Sequence, residues 1–141
     1  MYNALNYIRV VMSVTGGVIA SALGGCDMLL IVLAAFVVFD YVSGVILAVK
    51  QGKLNSRVGF FGIVKKALIF VVVIIAHLLD QLTGLDAIRS ITVLFYISNE
   101  GISILENLGK LGVEIPKKIR DVLEQLEDKD DDNSEDTESD N

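Results

Sequence analysis

Between Arg89 and Asn107 the polar side chains are spaced to share one side of a helix. At 100° per residue, Arg89, Thr92, Tyr96, Asn99, Glu100, Ser103, Glu106 and Asn107 fall within about 120° of arc. Nearly every other position there is Ile, Leu, Val or Phe. Such a row offers hydrogen bonding and charge pairing between helices, or the lining of water. In membrane helices Asn, Ser and carboxyl groups contribute roughly 0.6–2 kcal/mol each in this way. The row is roughly 27 Å long at 1.5 Å per residue, close to the hydrocarbon thickness of a bilayer. Facing lipid it would be too costly, so it must face water or protein. It belongs either to a surface helix or to a spanning helix whose polar side meets a cavity or another helix.

A second ionisable group lies in a more apolar setting. Asp40 is the one charge in Met28–Val49, near the middle of about 22 residues that read as a membrane span. Asp40, Gly44 and Ala48 share a stripe at spacing four, with Ser43 beside it. A carboxyl at that depth is expected to be protonated or to find a cation or hydroxyl. Satisfaction inside a helix bundle and a direct role in a pore are both open to it.

Catalytic chemistry is not legible. The chain has no nucleophile elbow, phosphate-binding glycine loop, metal-ligand cluster or paired catalytic carboxylates. Its one cysteine, Cys26, excludes an intrachain disulfide, and its one histidine, His77, reads as a hydrogen-bonded interfacial residue. No enzyme, cofactor, metal site or nucleic-acid partner is expected.

The elements that must position these groups are membrane helices. The 141 residues are 52% hydrophobic with one Pro and no Trp, and the mean hydropathy is +0.57. These uncharged apolar runs are longer than a soluble domain of this size carries. The formal charge of −6 conceals a split between a basic body, net +4 over residues 1–120, and an acidic tail, net −10 over 121–141.

Four spans are expected, at about 10–25, 28–49, 64–82 and 88–107, within a membrane domain of residues 1–109. The first is short and carries Gly16, Ala20 and Gly24 at spacing four, the small-residue pattern of close helix pairs. A signal peptide cleaved near Ala20-Ser21-Ala22 competes with it. Lys50 to Lys66 reads as a basic connection broken by Gly52, Gly59 and Gly62, with Lys65 and Lys66 snorkelling from the first turn of the third span. Arg89 lies near Asp80 and Asp86, either of which can pair with it. With four spans and both termini cytoplasmic, 11 of the 12 Lys and Arg fall on the inner side. That balance favours spanning for the Arg89 helix.

Gly109 and Gly112 should end the fourth helix, and Pro116 can open another. Residues 110–126 then form a cytoplasmic amphipathic segment, and 127–141 an acidic tail expected to be disordered. The fold class is thus an all-α integral membrane protein. Short spans, small-residue stripes and one continuous polar face suit self-association, in which copies surround water.

Two blocks carry a resemblance. The first is Asp40 to Ser56, DYVSGVILAVKQGKLNS, continuing to Gly62 and Lys65-Lys66. The second is Asp86 to Arg89, DAIR, with Phe95 to Pro116, FYISNEGISILENLGKLGVEIP. In these the chain resembles the small phage holins of the toxin-secretion and phage-lysis family, over about residues 40–118. The resemblance implies homo-oligomers in the bacterial cytoplasmic membrane that open lesions. A murein hydrolase or toxin then leaves without required direct contact, and the host cell lyses. It also implies no cofactor, and it argues against cleavage of the first segment. Asp40, Gly44, Arg89, Asn99, Glu100, Glu106 and Asn107 match the blocks and, with Ser103, are expected to line a pore or pack helices. A small-solute or ion channel, an accessory transporter subunit, or a membrane anchor whose tail recruits a partner would fit the same polar stripe.

Overall fold

The computed structural model describes residues 2–135, with side chains described for 4–126. The chain is all-helical: α1 Tyr2–Ala22, α2 Met28–Lys50, α3 Ser56–Thr83, α4 Ile88–Leu111 and α5 Lys117–Glu135. Among the described residues, three helices are long and apolar enough to cross a membrane: α1 over Ala4–Ala22, α2, and α3. The fourth, α4, has the length, about 36 Å over its 24 residues, but keeps its polar face.

Each boundary has a local cause. Asp27 caps α2 by accepting a hydrogen bond from Leu30 N at 2.9 Å, and Asn55 caps α3 from Arg57 N at the same distance. Gly84 and Gly112 end α3 and α4 in the left-handed region, at φ 73° and 95°. Ala87 offers α4 no capping side chain. Asp80, from the last turn of α3, supplies the cap instead, accepting from Ile88 N and Arg89 N at 2.9 Å each.

Three boundaries differ from expectation. Helix α3 starts at Ser56, not near residue 64, because Gly59 and Gly62 act as a packing surface and not as breakers. A Cβ on either would stand 3.6–3.8 Å from the Tyr41 ring or hydroxyl of α2. Helix α1 ends at Ala22, so Gly24 is not on its small-residue stripe. Gly24 sits in the following turn at φ +82°, where a Cβ would fall 2.7 Å from Arg89 Nε and His77 Nδ1. Helix α5 continues to Glu135, into the stretch expected to be disordered, since residues 127–135 hold no Gly or Pro to stop it. The rest of that expectation, 136–141, lies outside the described residues.

The core is small and periodic. Leu30, Leu33 and Val37 on α2 meet Ile69 and Val73 on α3 and Val93 and Ile97 on α4. Leu33, Val73 and Val93 are fully buried and form its centre. Helix α4 packs mainly on α2, then on α5 and α3, while α2 and α3 touch little. The outward faces of α2 and α3 are apolar, with Phe39, Val42, Ile46, Leu68, Ile75 and Leu78 exposed. Apolar outside and charged inside is the arrangement a bilayer favours. Helix α1 stands clear of the bundle: its spanning stretch is wholly unburied, and Gly16 and Gly17 have nothing within 4 Å.

Candidate functional site

Helices α2 and α4 run parallel. Their first turns meet through Asp27 and Arg89, and at the far end Lys50 Nζ donates to the carbonyl of Leu111 at 3.1 Å. Asp40 and Glu100 are each the thirteenth residue of their helix, so they sit at equal depth. Helix α3 runs the other way. Lys66 lies as far after Lys53, in the α2–α3 turn, as Asp40 lies before it. The three charges therefore converge at one level.

They form a single cluster. Lys66 Nζ is 2.6 Å from Asp40 Oδ2 and also bonds Glu100 Oε2. All three side chains are 11–16% exposed. Asn107 Nδ2 donates to the other oxygen of Asp40 and to Ser43 Oγ, 3.1 Å each. Gly44 leaves room for that amide, 3.7 Å from where its Cβ would stand. A cavity of about 250 Å³ opens beside the cluster between α2 and α3, lined by Tyr41, Val45, Val58 and Gly59 and reached by Asp40, Lys66 and Asn107.

Magnitudes show why the pairing matters. A single charge at the centre of a bilayer costs about 2.5–3.5 kcal/mol on insertion scales. Three unpaired would cost on the order of 8–10 kcal/mol, comparable to the stability of a whole domain. One ammonium held between two carboxyls gives all three groups a partner, so that removing any one of them is costly to the others.

A second cluster closes the end of the bundle where α2 and α4 begin. The Arg89 side chain is buried and pairs with Asp27, NH1 to Oδ2 at 2.7 Å and NH2 to Oδ1 at 3.2 Å. It also donates to the carbonyls of Leu23 and Gly25. This hydrogen-bonded guanidinium holds the Asp27 carboxyl below its usual pKa, against a smaller opposing effect of burial. Neither residue expected to pair with the Arg89 side chain does so: Asp80 takes its backbone N–H, and Asp86 makes no ion pair with it.

The polar stripe of α4 thus divides by angle. Arg89, Glu100 and Asn107, within about 20° of one another, turn inward: Asn107 finds its partners on α2, Arg89 in the turn before it, and Glu100 on α3. Ser103 is half-buried, and Thr92 bonds back to the Ile88 carbonyl. Asn99 and Glu106, at the other edge, are exposed, Glu106 with Lys110 at 3.7 Å. Gly16 and Ala20 are on the isolated α1, away from these clusters.

Lys66, Asp27 and Asp80 are central here, although the sequence points Lys66 to the membrane surface and marks no role for Asp27. The depth symmetry of Asp40, Lys66 and Glu100 was available in the sequence. Placing the start of α3 near residue 64 concealed it, since a first-turn lysine snorkels outward whereas one ten residues in faces a neighbour.

Comparison with known proteins agrees with the geometry. A family model described as "Bacteriophage holin family" matches residues 17–128. A probable holin of Bacillus phage phi105 is 46% identical over 104 residues, 73% of this chain and 75% of that one. An uncharacterized 14.9 kDa protein from the nagH 3' region of Clostridium perfringens is 44% identical over 131 residues, 92% of this chain and 99% of that one. The protein YqxH of Bacillus subtilis is 47% identical over 100 residues, 70% of this chain and 69% of that one. No solved structure matches.

Proposed function

The chain belongs to the bacteriophage holin family, a family of non-enzymatic membrane proteins, and from that premise we propose that it assembles into homo-oligomers that open lesions in the bacterial cytoplasmic membrane. A murein hydrolase or a toxin passes out through them, and the host cell lyses. In the closed state α4 spans as a fourth helix, with both termini cytoplasmic.

The observation that carries this is the Asp40–Lys66–Glu100 cluster. A helix bearing Arg89, Glu100 and Asn107 can stand at bilayer depth because each of these side chains already has a partner within the same chain. The closed protomer is therefore self-sufficient, and oligomers need not form to hide the seam. Opening exchanges these internal bonds for water and for neighbouring copies, and the exposed edge at Asn99 and Glu106 is the part of α4 already free to meet them.

The test is release graded by size. Expressed in a bacterium, the protein should halt growth and collapse the membrane potential, and a co-expressed murein hydrolase should then lyse the cells. Purified into vesicles, it should release both a small dye and an enclosed enzyme. Dye or ion leakage with the enzyme retained would make it a small-solute channel instead. Full insertion with viability unaffected would count against both.

A further inference from the structure

Helix α5 folds back along α4 as the second arm of a hairpin about Gly112. Its Leu123 is 7% exposed and fills the position where Gly101 lacks a Cβ; a Cβ there would stand 2.8 Å from Leu123 Cδ1 and 3.0 Å from Phe36 Cε2 of α2. Beside it the fully buried Ser98 donates its hydroxyl to the backbone carbonyl of Leu123. Ser98 and Gly101 are thirteen and ten residues from the end of α4 at Leu111, about 20 and 15 Å at 1.5 Å per residue. They thus flank the midplane of a hydrocarbon layer about 30 Å thick.

Docked there, α5 brings Arg120, Asp121 and Glu124 to the same depth, within one turn of Leu123. None of the three has an ion-pair partner among the described residues. The Lys66 cluster satisfies its charges internally, but Arg120 and Glu124 are exposed and Asp121 is half-buried. Lipid does not accept them. Docked α5 and spanning α4 exclude each other.

We propose that α5 is a removable cover on α4: it occupies the Ser98–Gly101 face while α4 lies away from lipid, and it must leave for α4 to take its place in the bilayer. Its other resting place is the cytoplasmic headgroup layer. Ile119 and Val122 are 48% and 56% exposed while α5 is docked, so half of its apolar face is already free for an interfacial site. Lys117, Lys118 and Arg120, in its first turn and ahead of the acids that begin at Asp121, give that end of the helix a basic contact for headgroup phosphates. The hinge is the Gly112–Pro116 turn, while the Lys50 bond to the α4 terminus keeps α4 against α2. The inference rests on the spanning role given to α4 above.

A reversible tether tests it in the full chain. With Cys26→Ser to remove the native thiol, Gly101→Cys and Leu123→Cys place two thiols where these side chains meet. Oxidised, the protein in dye-loaded vesicles should release nothing, and reductant should restore release. Release by the oxidised form at the reduced rate would overturn the cover. Hydrogen exchange on untethered wild-type protein in vesicles gives an answer independent of leakage. Amides of residues 119–126 should exchange markedly faster in the bilayer than before insertion, because an interfacial helix lacks the cover of α4; protection unchanged by insertion would also overturn it. Wild-type vesicles that never leak would sink the holin assignment, while the exchange pattern would still decide the fate of α5.

Discussion

Lys66 Nζ lies 2.6 Å from Asp40 Oδ2 and at the same time bonds Glu100, so one ammonium from α3 holds a carboxylate of α2 and a carboxylate of α4. Helices α2 and α3 scarcely touch each other directly. The lysine is their link at this depth, and it fixes the rotation of α4 between them. The cluster joins two carboxyls and one ammonium, so its balance responds to every substitution within it.

Removing the cation should be the most damaging of these. Lys66→Met leaves two buried carboxyls without their cation, Asp40 keeping only its Asn107 hydrogen bond, and breaking a buried pair costs about 3–5 kcal/mol. Unfolding of the protein in mixed micelles should shift by that order, and adding Glu100→Gln and Asp40→Asn should recover a large part of the loss. A single substitution with no measurable effect would mean that the cluster does not hold the helices together.

Glu100→Leu acts in the opposite sense on charge. It leaves Lys66 and Asp40 as a one-to-one pair and removes the bond by which α3 holds α4, and Leu favours insertion. The variant should insert as fully as the wild type, and the onset of lysis should come earlier because one of the bonds that keep the closed protomer together is gone. Onset and oligomer size both unchanged would show that Glu100 merely tolerates its position.

Asp27 gives the loop end a pH dependence with a definite sign. Its pKa is lowered in the folded chain by the Arg89 hydrogen bonds, from an unfolded value of about 3.9. Its contribution is therefore fully present above that unfolded value and is lost as pH falls through the lower folded one. The Asp27 side chain is 46% exposed, so solvent screening limits the effect to no more than about 1 kcal/mol. Stability measured from pH 7 down to pH 2 should fall more steeply for wild type than for Asp27→Asn; parallel curves would refute the assignment.

Asp80→Ala tests a cap supplied from another helix. Two backbone donors, Ile88 N and Arg89 N, lose their acceptor, at about 1–2 kcal/mol for a helix cap. Amide exchange at residues 88 and 89 should accelerate by about tenfold or more, since 1.4 kcal/mol is a factor of ten. The Lys66 cluster, three turns further along α4 at Glu100, should be unaffected.

The sequence by itself determined the helical class, the spanning character of α2, the polar stripe on α4 and the cause of its termination at Gly112. These follow from composition and from period 3.6, properties that one strand of sequence carries without reference to any other. The family too was readable, because the blocks around Asp40 and Asn99-Glu100 are contiguous. Tertiary structure alone decided the partners. Which edge of a roughly 120° stripe turns inward depends on how far α4 rotates between α2 and α3. The pairing of Arg89 with Asp27, 62 residues away, depends on the α1–α2 turn meeting the start of α4. Lys66 moved from the membrane surface to the centre of the bundle because Gly59 and Gly62 let α3 begin at Ser56 against Tyr41. Periodicity tells a chain which faces it has, but only packing tells each face what it meets.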